Sequence, residues 1–242
     1  MSGKRAVLEA VRAGDVVEVV VAKGARDNAG MRDVLEAART ARVRVRTADR
    51  PALDAMASDN RGVVARLRSG PPPALSERDL STFPWTADAI AVLLDGVEDP
   101  QNLGAAARSV EAAGGEMLIT RTHRSAPVSD AAIRSSAGAL LHLPHARVAN
   151  LPRALDRLKD EGFTVVGLDE TATGSIYGRP CPDGRVVLAV GSEGRGLSRL
   201  VRERCDVLVS LPMRGKVGSL NAAASLAAVL YAYVLPGRGA ET

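Results

Sequence analysis

The stretch DPQNLGAAARSVEAAGG, residues 99–115, carries an amide and a guanidinium on an otherwise bland, Ala-rich helical pattern. Asn102 suits an N-cap, because its side-chain oxygen accepts from the free N–H groups of a first helical turn. Arg108 is harder to explain by folding. It is the only charge between Asp99 and Glu111, and a solvated helix face does not need a lone cation. Two later loops hold comparable residues. AVGSEGRGLSR, residues 189–199, sets Glu193 among three glycines, and LPMRGKVGSLN, residues 211–221, brings Ser219 and Asn221 to the start of an apolar helix. Glycines let a backbone approach a ligand closely, and helix starts present N–H groups to it. Ser219 is a suitable N-cap, which would put Asn221 in the first turn, facing the ligand side of the sheet.

Several chemistries are excluded by spacing. GSEGRG reads G-x-x-G-x-G rather than G-x-G-x-x-G, and no strand with a following acid succeeds it, so a dinucleotide site is not expected. GKVGS lacks the earlier glycine of a phosphate-binding loop, which argues against triphosphate hydrolysis. His142 and His145 stand as H-x-x-H with no accompanying Cys, Asp or Glu cluster, so no metal is expected. No G-x-S-x-G elbow supports a serine nucleophile.

The elements that must position these loops alternate along the chain. Strand patterns occur at AIAVLLD, EMLIT, FTVVGLD, RVVLAVG and DVLVSLP. Helical patterns lie between them, at LGAAARSVEAAG, DAAIRSSAGALL, NLPRALDRLKDEG and LSRLVRER, and SLNAAASLAAVLYAYVL closes the series. Apolar strands alternating with helices predict an α/β fold with a parallel sheet covered on both faces. The three loops follow strands, where open α/β sheets bind ligands. Ahead of this lies a smaller α/β unit, with helices at RAVLEAVRAG, MRDVLEAARTA and ALDAMASDN and strands at VVEVVVAKG, VRVRTAD and GVVARLR. The Pro-rich SGPPPALSERDLSTFPWT reads as a linker. The expected division is a first unit over 1–72, a linker over 73–87 and a second unit over 88–242.

The net charge of +4 is uneven: residues 1–75 hold 14 Lys and Arg against 9 Asp and Glu, and the remainder 18 against 19. A basic first unit on a neutral body hints at nucleic acid. VRVR and the preceding residue would put Arg42, Arg44 and Arg46 on one strand face. That face is either a solvated edge or a phosphate-contacting stripe. No aromatic precedes Phe83, which argues against a base-stacking platform. Cys181 and Cys205 fit no C-x-x-C spacing, so a reducing cytoplasm is the expected compartment. The N-terminus shows no signal-peptide pattern, and the apolar C-terminal helix is short for a membrane span.

DPQNLGAAARS, GSEGRGLS and LPMRGKVGSLNAAAS, in this order over residues 89–235, resemble the three motifs of the SpoU/TrmH family. Its members are S-adenosylmethionine-dependent RNA ribose 2′-O-methyltransferases of the SPOUT superfamily. GKRAVLEAVRAG to GVVARLRSG resembles the L30e-like substrate-binding domain of the ribosomal RNA members. The resemblance implies a deep trefoil knot that forms the methyl-donor pocket, and a homodimer whose site draws on both chains. It implies donor contacts at Gly191, Gly194, Leu211 and Leu220, and a catalytic set of Asn102, Arg108, Glu193, Ser219 and Asn221. Arg108 would contact the target phosphate, and Asn102 would orient it. The implied reaction is methylation of a ribosomal RNA ribose, at a guanosine of 23S rRNA. A transfer RNA substrate, an antibiotic-resistance methyltransferase and a non-catalytic ribosome-assembly factor are the alternatives. The last would lack motif residues, and none is missing. Asp169, Glu170, Arg214 and Lys216 are left without a role.

Overall fold

The computed structural model describes residues 1–237 apart from Asp27, Ser58, Asp59, Ser69, Gly70, Arg179 and Val217. The first unit contains α1 (Lys4–Arg12), β1 (Val16–Ala22), α2 (Ala29–Thr40), β2 (Arg44–Ala48), α3 (Arg50–Met56) and β3 (Val63–Leu67). Its three strands lie in the order β2-β1-β3, with β2 parallel and β3 antiparallel to β1. The helix expected at ALDAMASDN ends at Met56, and Ser58 and Asp59 lie outside the described residues.

The second unit contains β4 (Ile90–Asp95), α4 (Pro100–Ala112), β5 (Met117–Arg121), α5 (Asp130–Ser135), β6 (His145–Val148), α6 (Leu151–Asp160), β7 (Thr164–Leu168), β8 (Val186–Gly191), α7 (Arg199–Arg202), β9 (Val207–Val209) and α8 (Ala222–Val229). The helix α8 continues through a π-helical turn, Leu230–Val234. All neighbours in the sheet β6-β5-β4-β8-β7-β9 are parallel, as the alternating pattern requires. The sheet has one strand more than the five sequence patterns, because HARV is short and its His and Arg hide the apolar run. Among the described residues no helix is long and apolar enough to cross a membrane.

Both sheet faces are covered, which explains why β8 is apolar throughout and β4 is apolar up to its terminal Asp95. Val92, Leu94, Leu188 and Val190 pack into one cluster with Leu103, Ala106 and Val110 of α4 and Leu226 and Val229 of α8. Ala91, Leu93, Val187 and Ala189 face the other way, against Leu155 and Leu158 of α6 and Val201 of α7. The first cluster also takes in Val7, Ala10 and Val11 of α1, so one core runs through both units. The segment expected as a linker is held down. Leu75 forms a bridge with Ala146 beside β6, Leu80 and Trp85 are buried, and Trp85 meets Phe163 edge-on at 4.8 Å. Arg185 donates to the carbonyls of Trp85, Thr86 and Glu161 at 3.0, 2.8 and 2.6 Å, fixing the end of the segment.

Two expected caps are corrected. The N-cap of α4 is Asp99, which accepts from the Gln101 N–H, with Pro100 at the first helical position. Proline's missing N–H costs nothing there, and its fixed φ suits a helix start. Asn102 therefore sits inside the first turn. The N-cap of α8 is Asn221, not Ser219; its side-chain oxygen accepts from Ala223 N at 2.9 Å and Ala224 N at 3.3 Å. Arg42 does not belong to β2. It stands just after α2 with φ 53°, while Arg42 N donates to Arg39 O and Val43 N to Ala38 O, the two bonds of a left-handed helix stop.

Candidate active site

The direction of strand order reverses between β4 and β8, and such a switch point opens a crevice at the carboxyl ends of the strands. Asp95 and Gly191 are partners in register at that end. Asp95 closes an otherwise apolar strand and is only 5 % exposed. Its carboxylate accepts from Ser198 N at 2.7 Å and lies 3.5 Å from the Arg121 guanidinium. It therefore holds the far end of the glycine loop against β4. A charged residue ending a wholly apolar strand was a readable signal of this role, and spacing arguments passed over it.

The glycine loop is built on close backbone contact. A Cβ on Gly191 would lie 2.0 Å from the Gly196 carbonyl carbon and 2.3 Å from the Leu197 nitrogen. Gly196 N donates back to Ser192 O, closing the loop on itself. Gly194 and Gly196 have φ of 75° and 64°, the left-handed region that favours glycine, and a Cβ on either would meet nothing within 4 Å. Gly191 is thus required first by its own loop, and Gly194 turns its open side to solvent.

Three hollows adjoin this loop. A cavity of about 510 Å³ is lined by the ends of β7 and β9 and the segment before α8, with Leu168, Glu170, Ser210, Leu211, Ser219 and Leu220 in its wall. A smaller one of about 100 Å³ shares Leu168, Glu170, Ser219 and Leu220 with it and is closed by Gly191, Glu193 and Gly194. On the other side of Glu193 lies a third, of about 310 Å³, lined by Gly96, Glu98, Asn102, Ser192, Glu193 and Arg195. Glu193 is exposed and stands between the two sides. Asn221 Nδ2 donates to Asn102 Oδ1 at 2.8 Å, tying α8 to α4 at this rim.

The structure thus brings together Asn102, Glu193, Ser219 and Asn221 with Gly191, Gly194, Leu211 and Leu220. Arg108 stands apart. It is six residues beyond Asn102, about 9 Å along the α4 axis, and it lines none of these cavities. It makes no hydrogen bond or ion pair with a described residue. The expected contact between Asn102 and Arg108 is absent in this chain, because Asn102 is engaged by Asn221 and the two side chains leave α4 on different faces.

The two acids left unassigned separate clearly. Asp169 is structural. Burial pushes its pKa up, but hydrogen bonds from Thr171 and Arg202 outweigh that and hold it below the usual carboxylate range. Glu170 instead faces the two hollows that share Leu168 and Leu220 and is the only described acid in the larger one.

The remaining candidates lie elsewhere. Arg44 and Arg46 reach toward one carboxylate, that of Glu18, at 3.6 and 3.5 Å. With Arg42 off the strand, the expected three-cation face reduces to two guanidinium groups around one acid. His142 is exposed, whereas His145 is buried and hydrogen-bonds Thr120 Oγ1 at 2.8 Å. Among the described residues no group of three or more His, Cys, Asp or Glu could hold a metal ion. Neither cysteine is in a disulfide, and burial pushes the Cys205 thiol up to about 12.

Comparison with known proteins accounts for both units. The model of the SpoU rRNA Methylase family matches residues 89–231, and that of RNA 2′-O ribose methyltransferase substrate binding matches residues 2–73. An uncharacterized tRNA/rRNA methyltransferase of Mycolicibacterium vanbaalenii is 39% identical over 238 residues, 94% of this chain and 73% of the relative. The SpoU methyltransferase AviRb from Streptomyces viridochromogenes, solved in complex with the cofactor AdoMet, is 30% identical. It covers 98% of this chain and 89% of its own, with a TM-score of 0.74. An RNA 2′-O ribose methyltransferase is 26% identical, covers 98% and 87%, and has a TM-score of 0.79. With a matching family model over most of its length and its three motif loops gathered at one sheet end, the chain belongs to the SpoU rRNA methylase family of RNA methyltransferases.

Proposed function

We propose that the protein methylates the 2′-hydroxyl of a ribose in ribosomal RNA, at a guanosine of 23S rRNA, with S-adenosylmethionine as methyl donor. The observation that carries this reading is the meeting of all three motif loops at one rim, through the Asn221–Asn102 bond and the shared Glu193. The donor-side hollows fit such a cofactor. Leu168, Leu211, Pro212 and Leu220 give apolar walls for a base, and Ser210, Ser219 and Ser225 give hydroxyls. Glu170 offers a carboxylate to a ligand with positive charge. Bound there, S-adenosylmethionine supplies an electrophilic methyl group.

The chain's own residues do the rest by position and charge. Holding the ribose hydroxyl in line with the methyl group lowers the barrier without any strong base. Asn102 and Asn221 brace each other and fix the rim. Glu193 stands where nucleotide and donor meet. Arg108 stabilises the target phosphate and the oxygen that loses its proton; a guanidinium keeps its charge in proteins, so electrostatic stabilisation is as suitable a role as proton removal.

The protein acts as a homodimer in this reading, and Arg108 of one copy serves the donor pocket of the other. Support comes from the absence of Arg108 from its own chain's cavities. Tyr231, 52 % exposed, bonds Ala112 O one turn along α4 from Arg108, so an aromatic and a free cation share that surface. The second unit, residues 88–242, is read as a SPOUT domain with a trefoil knot. The segment before α8 and the loops after β7 and β8 wall the same hollow. The first unit, 1–72, is read as an L30e-like RNA-binding domain. Incubation with labelled S-adenosylmethionine and unmodified ribosomal or transfer RNA transcripts tests the substrate. Label in the 23S transcript alone is expected; label in transfer RNA alone overturns the substrate assignment.

A further inference from the structure

The hollow between the two units is lined by cations from both. It measures about 560 Å³, and its wall includes Lys4, Arg5 and Arg61 of the first unit and Gln101, Arg134 and Ser135 of the second. No described residue lining it is acidic. Lys4 Nζ donates to the neutral Asn28 Oδ1 at 3.0 Å, and Arg134 to the Ser2 hydroxyl at 3.4 Å. Lys4, Arg5 and Arg134 have no ion pair with a described carboxylate, in contrast to Arg44 and Arg46 on β2. Folding does not ask for this arrangement. Lys4 and Arg5 open α1, where the helix dipole favours acids over bases.

The hollow is held in shape by close packing. A Cβ on Gly104 would lie 1.9 Å from Ser135 Oγ and 2.2 Å from Ala132 O, so α4 and α5 touch there. A Cβ on Gly138 would lie 3.1 Å from Glu9 Cβ, which seats α1 against the second unit. The hollow also adjoins the active site. Gln101 in its wall precedes Asn102, which lines the hollow beside Glu193.

We propose that this cleft holds the sugar–phosphate backbone of the RNA strand next to the target nucleotide, so that both units grip one strand. The proposal rests on the reading of the protein as an RNA methyltransferase, and it moves the main phosphate contact of the first unit from the β2 edge to α1. Contacts to phosphate are independent of base sequence and dependent on salt.

The test uses the full-length protein and an unmodified 23S rRNA transcript. The variants are Arg5→Gln with Arg134→Gln, and Arg42→Gln with Arg44→Gln and Arg46→Gln. Affinity is measured across a salt series. Each lost phosphate contact should flatten the slope of log K against log salt by about 0.7 to 0.9. The cleft variant is expected to lose roughly twice that and at least about tenfold in affinity, with S-adenosylmethionine binding unchanged. The β2 variant should change the slope by less than one contact. An unchanged slope in the cleft variant, or a larger loss in the β2 variant, overturns the proposal. If the double variant misfolds, Arg5→Gln alone decides: a slope flatter by about one contact supports the cleft, and a wild-type slope overturns it. Failure of the underlying reading looks different, since the wild-type protein would then transfer no methyl group to any RNA.

Discussion

At the scale of single residues, Arg108 is the test of mechanism. It is half-buried, partnerless among the described residues and lines neither of the hollows proposed for the donor. Arg108→Ala should therefore lower methyl transfer by about 100-fold or more and leave donor affinity within a few-fold. Calorimetric titration with S-adenosylmethionine checks the second part; donor binding lost together with activity would make Arg108 a fold or pocket residue. Its lone charge was legible in the sequence, and so was its separation from Asn102, because six helical residues span about 9 Å. The bond that engages Asn102 with Asn221, 119 residues away, was not. His145 makes a second prediction. Burial pushes its imidazole down to about 4, with the Arg147 charge adding to the effect. The unfolded chain takes up this proton near pH 6.5 and the folded chain does not, so stability is lost as pH falls from about 6.5 to 4, by up to about 3 kcal/mol. The carboxylates of Glu77 and Asp169, held below their usual range, lose their contributions in a more acidic window. Urea midpoints at pH 7.5 and 5 should differ in the wild type and converge in His145→Gln, which cannot titrate. An equal pH dependence in both would exclude His145 as its source.

At the scale of elements, the glycine loop after β8 separates structure from ligand. The family resemblance implied a donor contact at Gly191, which lines the smaller hollow. The contact with Gly196 and Leu197 shows that the loop's own backbone occupies the space a side chain there would need. Gly191→Val should therefore lower the thermal midpoint, by the roughly 1–3 kcal/mol of an overpacked site or more, and abolish donor binding with it. Gly194→Ala carries only the left-handed backbone strain of about 1–2 kcal/mol and should weaken donor binding with a smaller loss of stability. Thermal unfolding and donor titration on both variants distinguish the two roles; a Gly191→Val protein with a wild-type midpoint and normal binding would remove the pocket from this loop. The strands and helices themselves were largely legible, because buried parallel strands are apolar runs and α4, α6 and α8 carry periodic Leu, Ala and Val. The order β6-β5-β4-β8-β7-β9 was not, since nothing in a fully buried strand names its neighbour.

At the scale of the whole molecule, the sequence divides at its prolines, while the core does not. Val7 and Val11 of α1 share a cluster with Leu140 and Val190, and Leu75, Leu80 and Trp85 fasten the intervening segment to the second unit. Composition marked the segment as a linker because Pro and Ser break periodicity, and a handful of anchoring side chains leaves no such signature. This packing is what sets the basic cleft beside Asn102. The central claim is that the transferred methyl group ends on a ribose oxygen. The most direct measurement is digestion of the labelled RNA product to nucleosides, followed by mass spectrometry and alkaline hydrolysis. The expected product carries the added methyl mass on its sugar fragment and leaves the adjacent phosphodiester bond resistant to alkali. A methyl group on the base fragment, with the bond still cleaved by alkali, would contradict the account.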